Sequence, residues 1–253
     1  MGNKNAILWY DCLDSTNSEA RRHINDIDNM SVIAARAQTS GRGQRGNEWL
    51  SAPGENLTFS LVLKFGRPGT GSLKARKVFS VSEMIAAAIC DYLESEGVQA
   101  AVKWPNDIYV RGKKICGILV ESSLAGDNID YSIVGVGLNL NQSSFPVALV
   151  NPVSLKMLTG RTYDLEQALA ALYGMIRKRM VMMYSCPDKL HVFFQERLYR
   201  KDILCEYVDY TAGGDGERFM GTIKGITDDA LLIVEKSDGS LKYFAFKEIS
   251  YII

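Results

Sequence analysis

The chain has 253 residues, 47% hydrophobic and 23% charged, which suits one large domain or a catalytic domain with a small appendix. Its 29 basic and 29 acidic residues cancel. That argues against a broad electrostatic footprint on nucleic acid or an anionic membrane, while a local basic loop stays open. No apolar run approaches the ~20 residues of a bilayer span, and the N-terminal stretch MGNKNAILWYDCLDSTN carries no secretory signal. Cys12, Cys90, Cys116, Cys186 and Cys205 are odd in number, scattered and without a CxxC pair. They read as reduced thiols of a cytoplasmic protein.

In chain order, Ser15 is placed to cap a helix over 16–28 with Glu19 in its first turn. A buried strand, SVIAARAQ (31–38), runs into a glycine- and arginine-rich segment, 39–47. From 56 to 65 the alternation of Leu57, Phe59, Leu61, Leu63 and Phe65 predicts a strand with one apolar face. Val78, Val81, Ile85, Ile89 and Leu93 recur at helical spacing and predict a helix over 73–95, with Gly97 as its stop. Strands follow at 100–104, 108–110, 115–122 and 131–141, joined by turns short enough to favour antiparallel hairpins. Helices are expected at 153–159, 165–184 and 188–199. Beyond Arg200, short strands at 203–210, 218–226, 230–236 and 241–246 predict a small all-β barrel, with a domain boundary near 200.

Only two histidines are present, His23 and His191, so a histidine triad or metal cluster is not expected; no Walker A, GxGxxG or HExxH motif occurs. Four segments carry other chemistry. In Gly41-Arg42-Gly43-Gln44-Arg45-Gly46-Asn47-Glu48-Trp49, glycines admit a ligand to the backbone and arginines offer forked donors to anions. A plain solvated loop is the bland alternative, and an RNA-binding tract a third. Lys103-Trp104-Pro105-Asn106-Asp107 puts a lysine at a strand end before a bend, where it can neutralise a reacting anion, while Asn106 or Asp107 can meet a nucleotide or metal ion; an ordinary Pro-Asn-Asp turn competes. Gly117, in the apolar strand Lys113–Glu121, and Gly135 and Gly137, ahead of Asn139, point to close approach of a ligand or simply of another backbone.

Taken together and in this order, these segments resemble the biotin–protein ligase family. The match rests on Asp14-Ser15-Thr16-Asn17, Gln38 with Ser40-Gly41-Arg42-Gly43-Gln44-Arg45-Gly46 and Trp49, Lys103-Trp104-Pro105-Asn106-Asp107, Lys114–Glu121 and Gly135-Val136-Gly137-Leu138-Asn139. The resemblance extends over about residues 8–253 and implies an α+β fold. A mixed sheet flanked by helices, like the catalytic domain of class II aminoacyl-tRNA synthetases, would occupy residues 1–200. An SH3-like C-terminal barrel would occupy 201–253.

It also implies an ATP-dependent, AMP-forming ligase that makes biotinyl-5′-AMP and passes biotin to a lysine of a biotin carboxyl carrier protein. Biotin, ATP and Mg²⁺ would be bound, with no separate metal site. By carry-over, Ser15, Thr16, Asn17 and Gln38 would hold the ureido head, and Gly41, Arg42, Gly43, Gln44, Lys103, Gly117, Gly135 and Gly137 the rest of biotin. Arg45, Trp49, Asn106 and Asn139 would fall on the nucleotide side, and Lys103, Arg42 and Arg45 would act on the reacting anions. Gln44 stands where other members carry arginine, which bears on how tightly the adenylate is held. About a dozen residues precede the Asp14 motif, so neither the N-terminal DNA-binding domain of some members nor a repressor role is expected. Homodimer and monomer stay equally open. Lipoate ligases and octanoyltransferases, sharing the related fold, would require a different arginine–glycine motif and a site histidine; a biotin sensor without turnover would have lost Lys103 or the loop arginines.

Overall fold

The computed structural model describes residues 7–68 and 70–252, with Arg45 described by its backbone alone. The start of the N-terminal stretch read as lacking a signal, residues 1–6, lies outside the described residues. Seven strands form one mixed sheet: β1 (Ile7–Leu13), β2 (Val32–Gln38), β3 (Leu57–Lys64), β4 (Ala101–Lys103), β5 (Asp107–Val110), β6 (Lys113–Ala125) and β7 (Asn128–Leu138). Their order is β1-β2-β3-β7-β6-β5-β4. Only β1 and β2 run parallel, joined through helix α1 (Thr16–Arg22); the other neighbours are antiparallel. The β5–β6 turn is tight because Arg111 and Gly112 both take positive φ, 51° and 78°, as a two-residue hairpin of this twist requires.

Helix α2 (Phe79–Ser95) covers one face of the sheet, with Val81, Ile85, Ile89 and Leu93 all fully buried. Helices α4 (Leu165–Ser185) and α5 (Pro187–Glu196) pack on α2, and a short α3 (Leu155–Thr159) precedes them. The strand β3 was expected to have one apolar face, yet Thr58, Ser60 and Val62 are buried as deeply as Leu57, Phe59 and Leu61. Helix α1 packs on β2, β3 and β7, so the second face is covered too, and there Ala20, Ile27, Ile33, Val62 and Ile133 form a smaller core.

Two helices differ from expectation for local reasons. α1 stops at Arg22 instead of running to 28, because Asn25, Asp26, Asp28 and Asn29 favour turns and Met30 takes φ 66°. α2 begins at Phe79 rather than 73, because the backbone of 73–75 is spent on bridging 127–129: Ile129 donates to Leu73 and Ala75 to Asp127.

The last fifty residues form a five-stranded antiparallel sheet, order β11-β10-β9-β8-β12. Its members are β8 (Leu204–Asp209), β9 (Glu217–Ile226), β10 (Leu232–Lys236), β11 (Leu241–Phe244) and β12 (Ile249–Tyr251). This is the small all-β unit predicted after Arg200, with β12 added. It is anchored to the rest of the chain by buried Trp104, whose indole donates to Ala230 O at 3.1 Å and meets Phe246 edge-on at 5.0 Å. No helix among the described residues is long and apolar enough to cross a membrane.

Candidate functional site

A cavity of about 290 Å³ opens at the ends of the central strands, near the lower end of the roughly 300–1,000 Å³ of small-molecule sites. The β1–α1 junction contributes Ser15, Thr16 and Asn17, and β2 contributes Gln38. The segment after β2 contributes Arg42, Gly43, Gln44 and Trp49, the β4–β5 turn Lys103 and Asn106, and β6 and β7 Gly117, Gly135 and Gly137. Thirteen of the sequence-predicted residues therefore meet around one space.

The closed end is a buried polar cluster. Ser15, Thr16, Asn17 and Ser60 are each at most 4% exposed. Thr16 N donates to Gln38 Oε1 at 2.8 Å, so a side chain from β2, not Ser15, accepts the first amide of α1. The Ser60 hydroxyl lies 2.8 Å from Thr16 Oγ1 and 2.5 Å from Asn17 Oδ1. Asn17 Nδ2 donates to Glu121 Oε2 at 2.8 Å. Hydroxyls and a carboxamide fixed this way present both donors and acceptors where water is excluded.

The floor is made of glycine. Gly117 and Gly137 are register partners on β6 and β7, and the Trp49 indole packs against both. A Cβ on Gly137 would overlap the indole, and one on Gly135 would overlap the Asn17 carboxamide. The two glycines on β7, spaced by two, thus face the cavity together. Trp49 is held there by its own backbone N–H donating to Gly41 O at 2.9 Å, while its indole Nε1 is buried without a partner among the described residues.

Charges are distributed unevenly. Arg42 is committed: its guanidinium is bidentate on Glu121, at 2.8 and 3.3 Å. Lys114 pairs with Asp107 at 2.7 Å. Lys103 makes no ion pair among the described residues; its ammonium rests over the rings of Tyr109 and Tyr251, 5.4 and 4.7 Å from the centroids. Burial holds its pKa below the ordinary lysine value, nearby Asp107 opposes that, and Lys114 and Arg200 add to it. Such a lysine is an uncommitted cation set beside a polar pocket, where an incoming anion gains the most.

Four predicted positions differ from the rest. Asn139 does not line the cavity: β7 ends at Leu138, the chain turns inward, and the Asn139 amide donates to Val153 O at 3.1 Å. That contact pins 151–155 to the sheet. Asn106 lines the cavity, but its Nδ2 is spent on Ile118 O at 2.8 Å. Gly41 borders a second, shallow hollow inside its own loop, and the Arg45 side chain lies outside the described residues. Sequence reasoning missed Ser60, Glu121 and the wall supplied by Lys247, Ile249, Ser250 and Tyr251. Glu121 carried a usable signal, since it follows Gly117 and Leu119 at strand spacing on one face. The C-terminal wall carried none. Among the described residues no group of three or more His, Cys, Asp or Glu could hold a metal ion.

The sheet thus lays a polar pocket, a glycine floor and Lys103 along one cleft. The family model described as "Biotin/lipoate A/B protein ligase family" matches residues 9–139, just over half the chain, and the chain belongs to that family. Among characterised relatives, it is 34% identical over 163 residues to the biotin–[acetyl-CoA-carboxylase] ligase of Paracoccus denitrificans, covering 63% of this chain and 66% of the relative, just under two thirds of its length. It is 29% identical over 248 residues to the bifunctional ligase/repressor of Bacillus subtilis, covering 94% and 72%. The fold matches that of the biotin protein ligase of Aquifex aeolicus solved with biotin and ATP, at a TM-score of 0.77, 22% identity and 98% coverage of each chain.

Proposed function

We propose that this chain is a biotin–protein ligase: it joins biotin to AMP at the expense of ATP and transfers biotin to a lysine of a biotin carboxyl carrier domain. The observation that carries the reading is the buried Thr16–Asn17–Ser60 cluster with Gln38 at the end of a cleft that leads to Lys103. A ureido ring offers two N–H donors and a carbonyl acceptor to such a cluster. The dithiolane of lipoate offers neither, and would leave buried polar groups unpaired at about 1–3 kcal/mol each. The Paracoccus denitrificans relative is named as a biotin ligase, which supports the same choice.

Under this reading the ureido head lies against Thr16, Asn17 and Gln38, and the acyl chain runs along the cleft toward Lys103. The biotin carboxylate attacks the α-phosphorus of ATP; the new C–O–P bond forms as the Pα–O–Pβ bond breaks and pyrophosphate leaves. A carboxylate needs no general base at neutral pH. The work is electrostatic, and Lys103 is placed to hold the two anions together, with Mg²⁺ arriving on the nucleotide. The acceptor amine then forms the amide as the acyl C–O bond breaks and AMP leaves. Trp49 and the β4–β5 turn flank the nucleotide side. Arg42 works as a tie between its loop and Glu121, and residues 1–200 and 201–253 act as catalytic and SH3-like units. The test is pyrophosphate release with biotin, lipoate or octanoate as acid. Release with biotin, lost in Lys103→Ala, supports the reading; release with lipoate alone refutes it.

A further inference from the structure

Lys103 is the centre of the proposed chemistry, yet half of what surrounds its ammonium comes from the other end of the chain. Tyr251 stands in β12, the last strand of the C-terminal sheet, and lines the same cavity. Its ring centroid is 4.7 Å from Lys103 Nζ, closer than that of Tyr109 on β5, at 5.4 Å. The ring is itself braced: Tyr207 of β8 meets it edge-on at 5.4 Å, and Tyr199 lies at 6.3 Å, tilted in turn against Tyr109 at 5.1 Å. The Tyr251 hydroxyl is buried and makes no hydrogen bond among the described residues. What the residue offers Lys103 is therefore its π face.

An aromatic face attracts a cation without neutralising it, which a carboxylate would do. The charged groups around Lys103 are consistent with this division. Asp107, the near carboxylate, is paired with Lys114 at 2.7 Å, and Arg200 sits over Tyr199 at 5.2 Å. We propose that Tyr251 is a positioning residue for Lys103: its ring, with that of Tyr109, holds the ammonium charged and aimed into the cavity, so that the C-terminal sheet completes the adenylation site. The link to catalysis rests on the biotin-ligase reading; the link to Lys103 does not. Burial lowers the lysine's pKa, and an aromatic face counters that loss.

The experiment compares wild type, Tyr251→Phe, which keeps the face, and Tyr251→Leu, which keeps an apolar filler without it. Biotin-dependent pyrophosphate release is followed against pH, and Lys103 is followed by NMR in the free protein with ¹³C-labelled lysine, assigned through Lys103→Arg. Wild type and Tyr251→Phe are expected to share one alkaline limb and ring-current-shifted Lys103 ε-protons. In Tyr251→Leu those protons return toward the random-coil position, and the limb moves to lower pH by about half to one unit, the size of one partly desolvated cation–π contact. The expected fall in kcat is about tenfold, with the biotin KM within twofold. Unshifted Lys103 protons in wild type, or a Leu variant matching wild type in both readouts, would overturn the proposal. Lack of pyrophosphate release in wild type would instead sink the ligase reading, and the NMR comparison would still decide whether Tyr251 holds Lys103.

Discussion

Removing the Glu121 carboxylate tests whether the polar pocket and the arginine loop are one unit. Glu121 accepts from Asn17 Nδ2 at 2.8 Å, from Arg21 Nη2 at 3.1 Å and from both Arg42 terminal nitrogens. Its side chain is 18% exposed, whereas those of Arg21 and Arg42 are 53% and 45% exposed. The two arginine contacts are therefore discounted to at most about 1 kcal/mol each. The Asn17 amide is buried, and leaving it unpaired costs about 1–3 kcal/mol. Glu121→Ala should thus lose about 2–3 kcal/mol, a fall in melting temperature of roughly 5–10 °C for a chain of this size. Glu121→Gln keeps an acceptor for Asn17 and should lose under about 1 kcal/mol. Thermal unfolding measures both, and trypsin cleavage at the 42–45 loop should quicken in each variant, since both release Arg42. If Ala and Gln variants unfold together, or neither changes loop cleavage, the coupling of Asn17 to Arg42 through Glu121 is wrong.

Three further outcomes are expected. Gly135→Ala would drive a methyl into the Asn17 carboxamide and Gly137→Ala one into the Trp49 indole; biotin binding by calorimetry should weaken at least about tenfold in the first, while nucleotide binding suffers more in the second. His191 Nδ1 lies 2.6 Å from the buried Glu83 carboxylate, whose hydrogen bond raises the imidazole pKa above 6.5. A raised value means the stabilisation is full below pH 6.5 and is lost as pH climbs through the folded pKa. Urea unfolding of wild type and His191→Gln should therefore differ most near about pH 6 and converge by about pH 9. Burial pushes the Cys90 thiol up to about 12 and Cys116 well above its ordinary value, whereas Cys12 is exposed. Iodoacetamide on the native protein should label Cys12 and spare those two, as peptide mass spectrometry would show.

The strands were legible where period-two patterning or turn residues bounded them, as in β3 and the β5–β6 hairpin. β1 escaped because ILWYDCL begins with four large apolar or aromatic residues in a row, a run that shows no alternation. β12 is three residues long and exists through pairing with β8, more than forty positions away. The site was legible where chemistry breaks a local rule: glycines inside strands, arginines among glycines, a lysine before Trp-Pro. It was illegible where tertiary geometry alone decides. Asn139 follows Gly137 by two, yet its amide turns to Val153 O because the strand ends at Leu138. Arg42 looked like a free anion clamp, and only the fold reveals the carboxylate seventy-nine positions on that engages it. Tyr251 has no sequence context that marks it at all.

The most direct test of the whole account is transfer itself. The purified chain, biotin, MgATP and a separate biotin carboxyl carrier domain are combined, and the intact mass of the carrier is followed with lipoate and octanoate in parallel. The account predicts one biotinyl group on a single carrier lysine, dependent on ATP and lost in Lys103→Ala. A carrier that gains lipoate or octanoate but not biotin would contradict it.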